Sequence, residues 1–281
     1  MLIRAGYDIS FSVPAPTPLL LLLSIHPSRD PDLRSPHQMV FDPPLPHSHY
    51  MDGFGNICTR VTAQPGTLRI RNEFTIEDSG EPDILAPEAE QIPVEDLPDD
   101  VLVYLLGSRY CETDRLSDTA WSLFGHVPPG WARVQAICDY VHDRITFGYE
   151  HARSTRTAYE GFMERRGVCR DFAHLAVTLC RCMNIPARYC TGYLGDIGVP
   201  PVEDPMDFSA WFDVYLGGRW YTFDARHNKR RIGRILMARG RDATDVALST
   251  SFGGAWLTGF EVITYEQEAG SVDTPVRAAR G

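Results

Sequence analysis

The sequence predicts an α+β fold, an N-terminal antiparallel β domain followed by a core in which a helix starting at a cysteine packs on an antiparallel sheet. Short alternating runs separated by proline and glycine fill the first third of the chain. After Cys169 the apolar residues Phe172, Leu175, Ala176, Leu179, Cys180 and Met183 recur at helical spacing. Beyond them the pattern reverts to strand, and Gly217-Gly218 between two aromatic runs signals a two-residue hairpin. A helix followed by an antiparallel sheet is the α+β arrangement.

Taken in order, Tyr7 to Val13 alternates with period two, as a half-buried strand does. The prolines at 14, 16 and 18 break it, and Leu19 to Ile25 resumes as a more fully buried strand. Asp42 to Tyr50 carries Pro43, Pro44 and Pro46, so it is a loop or an edge, because proline cannot donate to a ladder. Asp52 to Asn56 is a turn, and Ile57 to Thr62 and Thr67 to Ile76 alternate again. His47 and His49 share a parity, but a metal site needs three or four ligands and no third stands nearby. They are taken as surface loop histidines, and no metal is expected.

The stretch 77–98 is acidic and broken by prolines, which marks a boundary. The chain divides accordingly into a β domain (1–85), a linker (86–100), a core domain (101–268) and a tail (269–281). Helices are expected from Asp99 to Leu106, Ser117 to Phe124, Trp131 to about 143 and Thr157 to Arg165. Strands follow from Pro186 to Leu194, Phe208 to Leu216, Arg219 to Asp224 and Phe260 to Tyr265, with a loop at 195–206. Arg230 to Asp242 is basic and reads as an exposed strand balancing an acidic chain in preference to an anion contact. Residues 270–281 read as a frayed tail.

A length of 281 residues, 43% of them hydrophobic, supplies ample core. The net charge of −10 and the lack of any Lys/Arg-rich run argue against a nucleic-acid surface. The longest apolar run, Leu19 to Leu23 with Ile25, falls far short of the roughly 20 residues that span a bilayer, so no membrane segment is expected. The first residues lack the basic and then apolar pattern of a secretion signal. Seven cysteines at irregular positions leave one unpaired whatever the pairing, so a reducing cytoplasm is the expected setting. Nothing in the sequence speaks to oligomeric state.

Cys169 stands in the first turn of its helix, where unpaired N–H groups carry partial positive charge and favour a thiolate, the nucleophilic form. Gly167 permits a tight approach into that turn. Cys180 and Cys182, further along the same helix, read as buried structural residues.

Three ordered motifs now stand out: Gly167-Val168-Cys169-Arg170-Asp171-Phe172-Ala173, then Ala210-Trp211-Phe212-Asp213-Val214-Tyr215-Leu216-Gly217-Gly218-Arg219-Trp220, then Phe223-Asp224. Together they resemble the transglutaminase-like superfamily of papain-like cysteine enzymes over roughly residues 100 to 260. The strand-rich start looks like the N-terminal β domain of many bacterial members. The resemblance implies that Cys169 attacks an acyl carbon and that Asp224 orients a catalytic histidine. That histidine normally stands immediately before the Ala-Trp pair, where this chain has Ser209.

A serine hydroxyl does not titrate near neutral pH, so Ser209 cannot take the histidine's place. His227, three residues past Asp224, is the candidate substitute base, able to swing toward Cys169 with Asp224, Asp207 or Ser209 as its orienting group; its alternative is a loop histidine hydrogen-bonded at a strand end. His174 is a poorer choice, since five helical residues turn it through about 500° from Cys169. The implied activity is acyl transfer or hydrolysis of a peptide, isopeptide or glutamine-like amide through a thioester, without a cofactor. Trp211, Trp220 and Asp207 are the expected substrate contacts, with Tyr221 beside them. The alternative is a binding or scaffold protein that has lost its base, and a metal-dependent hydrolase using His47 and His49 ranks last.

Overall fold

The computed structural model describes residues 1–201 and 206–267. The expectations for the tail and for the middle of the 195–206 loop lie outside the described residues. The first part forms β1 (Leu2–Val13), β2 (Thr17–Leu21), β3 (Val40–Asp42), β4 (His47–Met51), β5 (Ile57–Ala63) and β6 (Gly66–Glu77). Then come α1 (Asp99–Leu102), α2 (Thr113–Phe124), α3 (Trp131–Arg144), β7 (Thr146–Phe147), α4 (Ala158–Glu164), β8 (Arg166–Gly167) and α5 (Cys169–Cys182). The chain continues through β9 (Ala187–Tyr193), β10 (Ser209–Leu216), β11 (Arg219–Phe223), β12 (Ile235–Gly240), β13 (Ser249–Ser251) and β14 (Trp256–Glu266).

Two four-stranded sheets, in the orders β14-β1-β6-β3 and β13-β2-β5-β4, enclose one core. Strand β1 sends Ile3, Ala5, Tyr7, Ile9, Phe11 and Val13 inward, so its alternation begins five residues before Tyr7. Ala5 and Gly6 carry too little side chain to show that pattern in the sequence. His47 and His49 lie on β4, an exposed edge strand, and not in a loop. Among the described residues no group of three His, Cys, Asp or Glu could hold a metal.

The last two strands complete these same sheets. β13 pairs with β2, and β14 pairs with β1 along almost its whole length. The linear division leaves both with the core domain, because local alternation carries no record of a partner more than 200 residues away. Tyr193, Phe208, Ile235 and Met237 also reach into the β core, which joins the two halves of the molecule.

The second core lies between α5 and a sheet of order β11-β10-β9-β12. Phe212, Val214 and Leu216 of β10 and Phe223 of β11 face the helix, while α2, α3 and α4 cover its other sides. Every residue of α5 from Asp171 to Cys182 is therefore buried. Gly217 and Gly218 close the β10/β11 hairpin with φ of +54° and +89°, the conformation a two-residue turn of this kind demands. The Arg230–Asp242 stretch is not an exposed strand, because β12 pairs with β9 and buries Ile235 and Met237.

Candidate active site at the start of the cysteine helix

Helix α5 begins at Cys169 because Asp171 holds its first turn. The Asp171 carboxylate accepts the Val168 N–H at 2.8 Å and the Arg156 guanidinium at 2.9 Å. It occupies the space that a Cβ on residue 167 would need, with Asp171 Oδ2 only 2.5 Å from that position, so glycine is required there. The parallel pair β7/β8 joins Phe147 to Gly167 and fixes the approach to the turn. Asp171 and Arg156 had no assigned role in the sequence, although the placing of an acid at the third helical residue is a capping signal.

Cys169 is half-buried and the other six cysteines are buried, all seven as free thiols. Its neighbours include Ala173 of α5, Tyr189 of β9 and Ala210 of β10. Burial pushes the thiol up to about 11, with Asp207 and Asp224 adding to the rise and Arg226 and the Ala210 N–H opposing it. The charge on the helix terminus does not outweigh the loss of water, so the resting sulfur is a thiol and not the stabilised thiolate expected from a helix start.

Asp224 follows β11 and is fully enclosed. Its Oδ1 accepts the His227 backbone N–H at 3.1 Å, its Oδ2 accepts Nδ1–H of the His227 ring at 2.8 Å, and Arg234 donates to Oδ2 at 2.9 Å. Burial alone would raise this carboxyl, but the Arg234 charge and the His227 hydrogen bonds prevail and hold it well below the usual carboxylate range. An ionised carboxylate only accepts, so His227 donates from Nδ1 and Nε2 keeps its lone pair when the ring is neutral. The turn 224–228 closes with the Asn228 N–H on Asp224 C=O, and His142 Nδ1–H donates to the Ala225 and Arg226 carbonyls.

Ser209 opens β10 with a buried hydroxyl that has no hydrogen-bond partner among the described residues, while its carbonyl accepts from Thr191. Asp207 is exposed, and its carboxylate accepts the Phe208 N–H at 2.6 Å. Trp211 and Trp220 are not brought to the sulfur. Ala210, Phe212 and Val214 face α5, so Trp211 and Asp213 alternate to the opposite face of the sheet. There Trp211, Trp220, Asp213 and Arg234 help to line a separate cavity of about 350 Å³, and Arg188 sits 4.1 Å above the Trp220 ring. Tyr221 packs on Trp131 among the helices.

The chain is similar to known proteins over this region and over its whole fold. The sequence profile of the transglutaminase-like superfamily matches residues 122–225, which contain Cys169, Ser209 and Asp224. A crystal structure from Cytophaga hutchinsonii, described as that of a candidate cysteine protease, superposes with a TM-score of 0.82 at 30% identity, covering 97% of this chain and 92% of that one. An uncharacterised protein of Mycobacterium tuberculosis strain H37Rv is 27% identical over 231 residues, 75% of this chain and 73% of that protein. One of Mycobacterium leprae is 36% identical over 102 residues, 35% of this chain. That last match spans only about a third of the leprosy bacillus protein, 36% of its length.

Proposed function

The chain belongs to the transglutaminase-like superfamily of papain-like cysteine enzymes, and from that premise we propose that it performs cysteine-dependent acyl transfer or hydrolysis on a peptide, isopeptide or glutamine-like amide. The observation that carries this reading is the Asp224–His227 pair, a buried carboxylate holding an imidazole by Nδ1, in a chain whose one half-buried cysteine, Cys169, starts helix α5.

In this reading His227 Nε2 removes the thiol proton as Cys169 Sγ bonds to the acyl carbon. The imidazolium that forms is stabilised by Asp224 and returns its proton to the departing amine, leaving a thioester on Cys169. Water, or an acceptor amine, attacks the thioester with the same imidazole as base. The Cys169 backbone N–H, in the first turn and outside the intrahelical ladder, is the donor available to the acyl oxygen. A resting thiol suits this sequence, since the proton leaves only as the acyl carbon is engaged.

A second reading has its own support, since Ser209 stands where the superfamily's histidine is expected and the thiol is held protonated. In that reading the chain is a binding or scaffold protein with a degenerate site. One experiment separates the two: turnover of a panel of peptidyl amides and glutamine peptides by wild type, Cys169→Ala and Ser209→His. Thiol-dependent turnover in wild type that Cys169→Ala abolishes supports the enzyme. An inert wild type that gains turnover with Ser209→His supports degeneracy.

A further inference from the structure

Burial holds the Cys169 sulfur protonated, yet attack on an acyl carbon requires negative charge to develop on it. Position 209, where a cationic imidazole could supply the opposing charge, is a serine. Three residues past the last pair of the β10/β11 hairpin, Phe212↔Phe223, on the turn 224–228, stands Arg226.

Its guanidinium is held in a defined place. Cζ lies 3.8 Å from the ring of Phe147, a cation–π seat. The Phe147 backbone pairs with Gly167, two residues before Cys169, and its ring lies 6.5 Å from that of Phe172 on the cysteine helix. At the other end of the residue the Arg226 carbonyl accepts from His142 at 2.9 Å. Arg156, Arg188 and Arg234 spend their charges on Asp171, Asp213 and Asp224. Among the described residues the half-buried Arg226 guanidinium makes no ion pair and donates no hydrogen bond.

We propose that Arg226 is the cation of this site: seated on Phe147, its guanidinium stabilises the negative charge that develops on the Cys169 sulfur during attack. The proposal rests on Cys169 being the nucleophile. The surrounding charges leave that part to Arg226. Asp207 and Asp224 work against ionisation, and Asp224 is itself balanced by Arg234. Tyr189 of β9 is raised far above its ordinary range by burial and stays neutral. On α5, Arg170 donates to the Ser154 carbonyl, Asp171 is held by Arg156, and His174 is turned to the Ala243 N–H. The Arg226 charge, held on Phe147 beside the approach to the cysteine helix, opposes the rise that burial brings to the thiol.

The test uses the full chain without substrate: the rate of iodoacetamide labelling at Cys169, followed by mass spectrometry from pH 6 to 10.5. A displacement of one pH unit is a tenfold change in thiolate fraction, so Arg226→Gln is expected to slow labelling at pH 8 by about tenfold. Arg226→Lys is expected to follow the wild-type profile closely. An Arg226→Gln profile coinciding with wild type overturns the proposal, and so does an Arg226→Lys profile displaced as far as Arg226→Gln, which reports lost packing. Should Arg226→Gln not fold, Phe147→Leu keeps the charge and removes its seat; an unmoved profile there also overturns it. Because no turnover is measured, this outcome is independent of whether an amide substrate is found.

Discussion

Two histidines of the core each stand beside a carboxylate, and they differ in what their ring nitrogens are free to do. His174 is fully buried on α5, stacked on Tyr110 at 5.0 Å and packed on Tyr189 at 4.9 Å. Its Nε2 accepts the Ala243 N–H at 3.1 Å, and burial pushes the ring down to about 3 although Asp242 opposes the shift. His227, on a turn, keeps 23% of its side chain exposed, gives Nδ1–H to Asp224 and has no hydrogen bond at Nε2 among the described residues. Five residues of sequence separate Cys169 from His174 and 58 separate it from His227. Nearness in sequence does not make a base; an oriented ring with an open lone pair does.

The largest effect is expected at the carboxylate the open histidine depends on. Asp224→Asn leaves the buried Arg234 with Asp83 as its remaining acid and allows the wrong imidazole tautomer. A loss of about 3 kcal/mol in urea unfolding is expected from uncovering the buried cation. A fall in amide turnover of about 10⁴-fold is expected from the tautomer. His227→Ala comes next: turnover about 10² to 10⁴ lower, with stability within about 1 kcal/mol of wild type. Undiminished turnover in His227→Ala would break the comparison at its stronger end.

Much of this contrast was legible in the residues. The cysteine at a helix start, the hairpin at Gly217-Gly218 and the acid at 224 are local signals, and each falls where its pattern puts it. The partners of those residues are not local. Arg234 reaches Asp224 from across a loop, Arg156 reaches Asp171 from before α4, and Trp211 turns away from the sulfur only because Ala210 and Phe212 face the helix. The sign of the Cys169 shift was also out of reach, since a helix start favours the thiolate and only the packed surroundings show how much water has been removed. The same limit applies to β14, whose alternation is plain while its partner, β1, lies at the other end of the chain.

The smallest effect concerns the closed histidine, and its signature is a pH dependence. The His174 ring is pushed down to about 3 in the fold against an ordinary value near 6.5. Between those values the unfolded chain binds a proton that the native ring does not, so stability falls as pH drops below about 6.5. The slope from one such ring is about 1.4 kcal/mol per pH unit. His26 and His37, pushed down to about 4 chiefly by burial, steepen the same acid loss. His174→Phe removes the acceptor of the Ala243 N–H, which costs about 1–3 kcal/mol at pH 7.5, but it also removes one proton from the acid slope. The deficit against wild type is therefore expected to shrink by about 2 kcal/mol between pH 6.5 and pH 5 in urea unfolding, with Cys169 labelling unchanged. A deficit constant across that range would mean that His174 accepts its proton inside the fold, and the two histidines would then differ in position but not in chemistry.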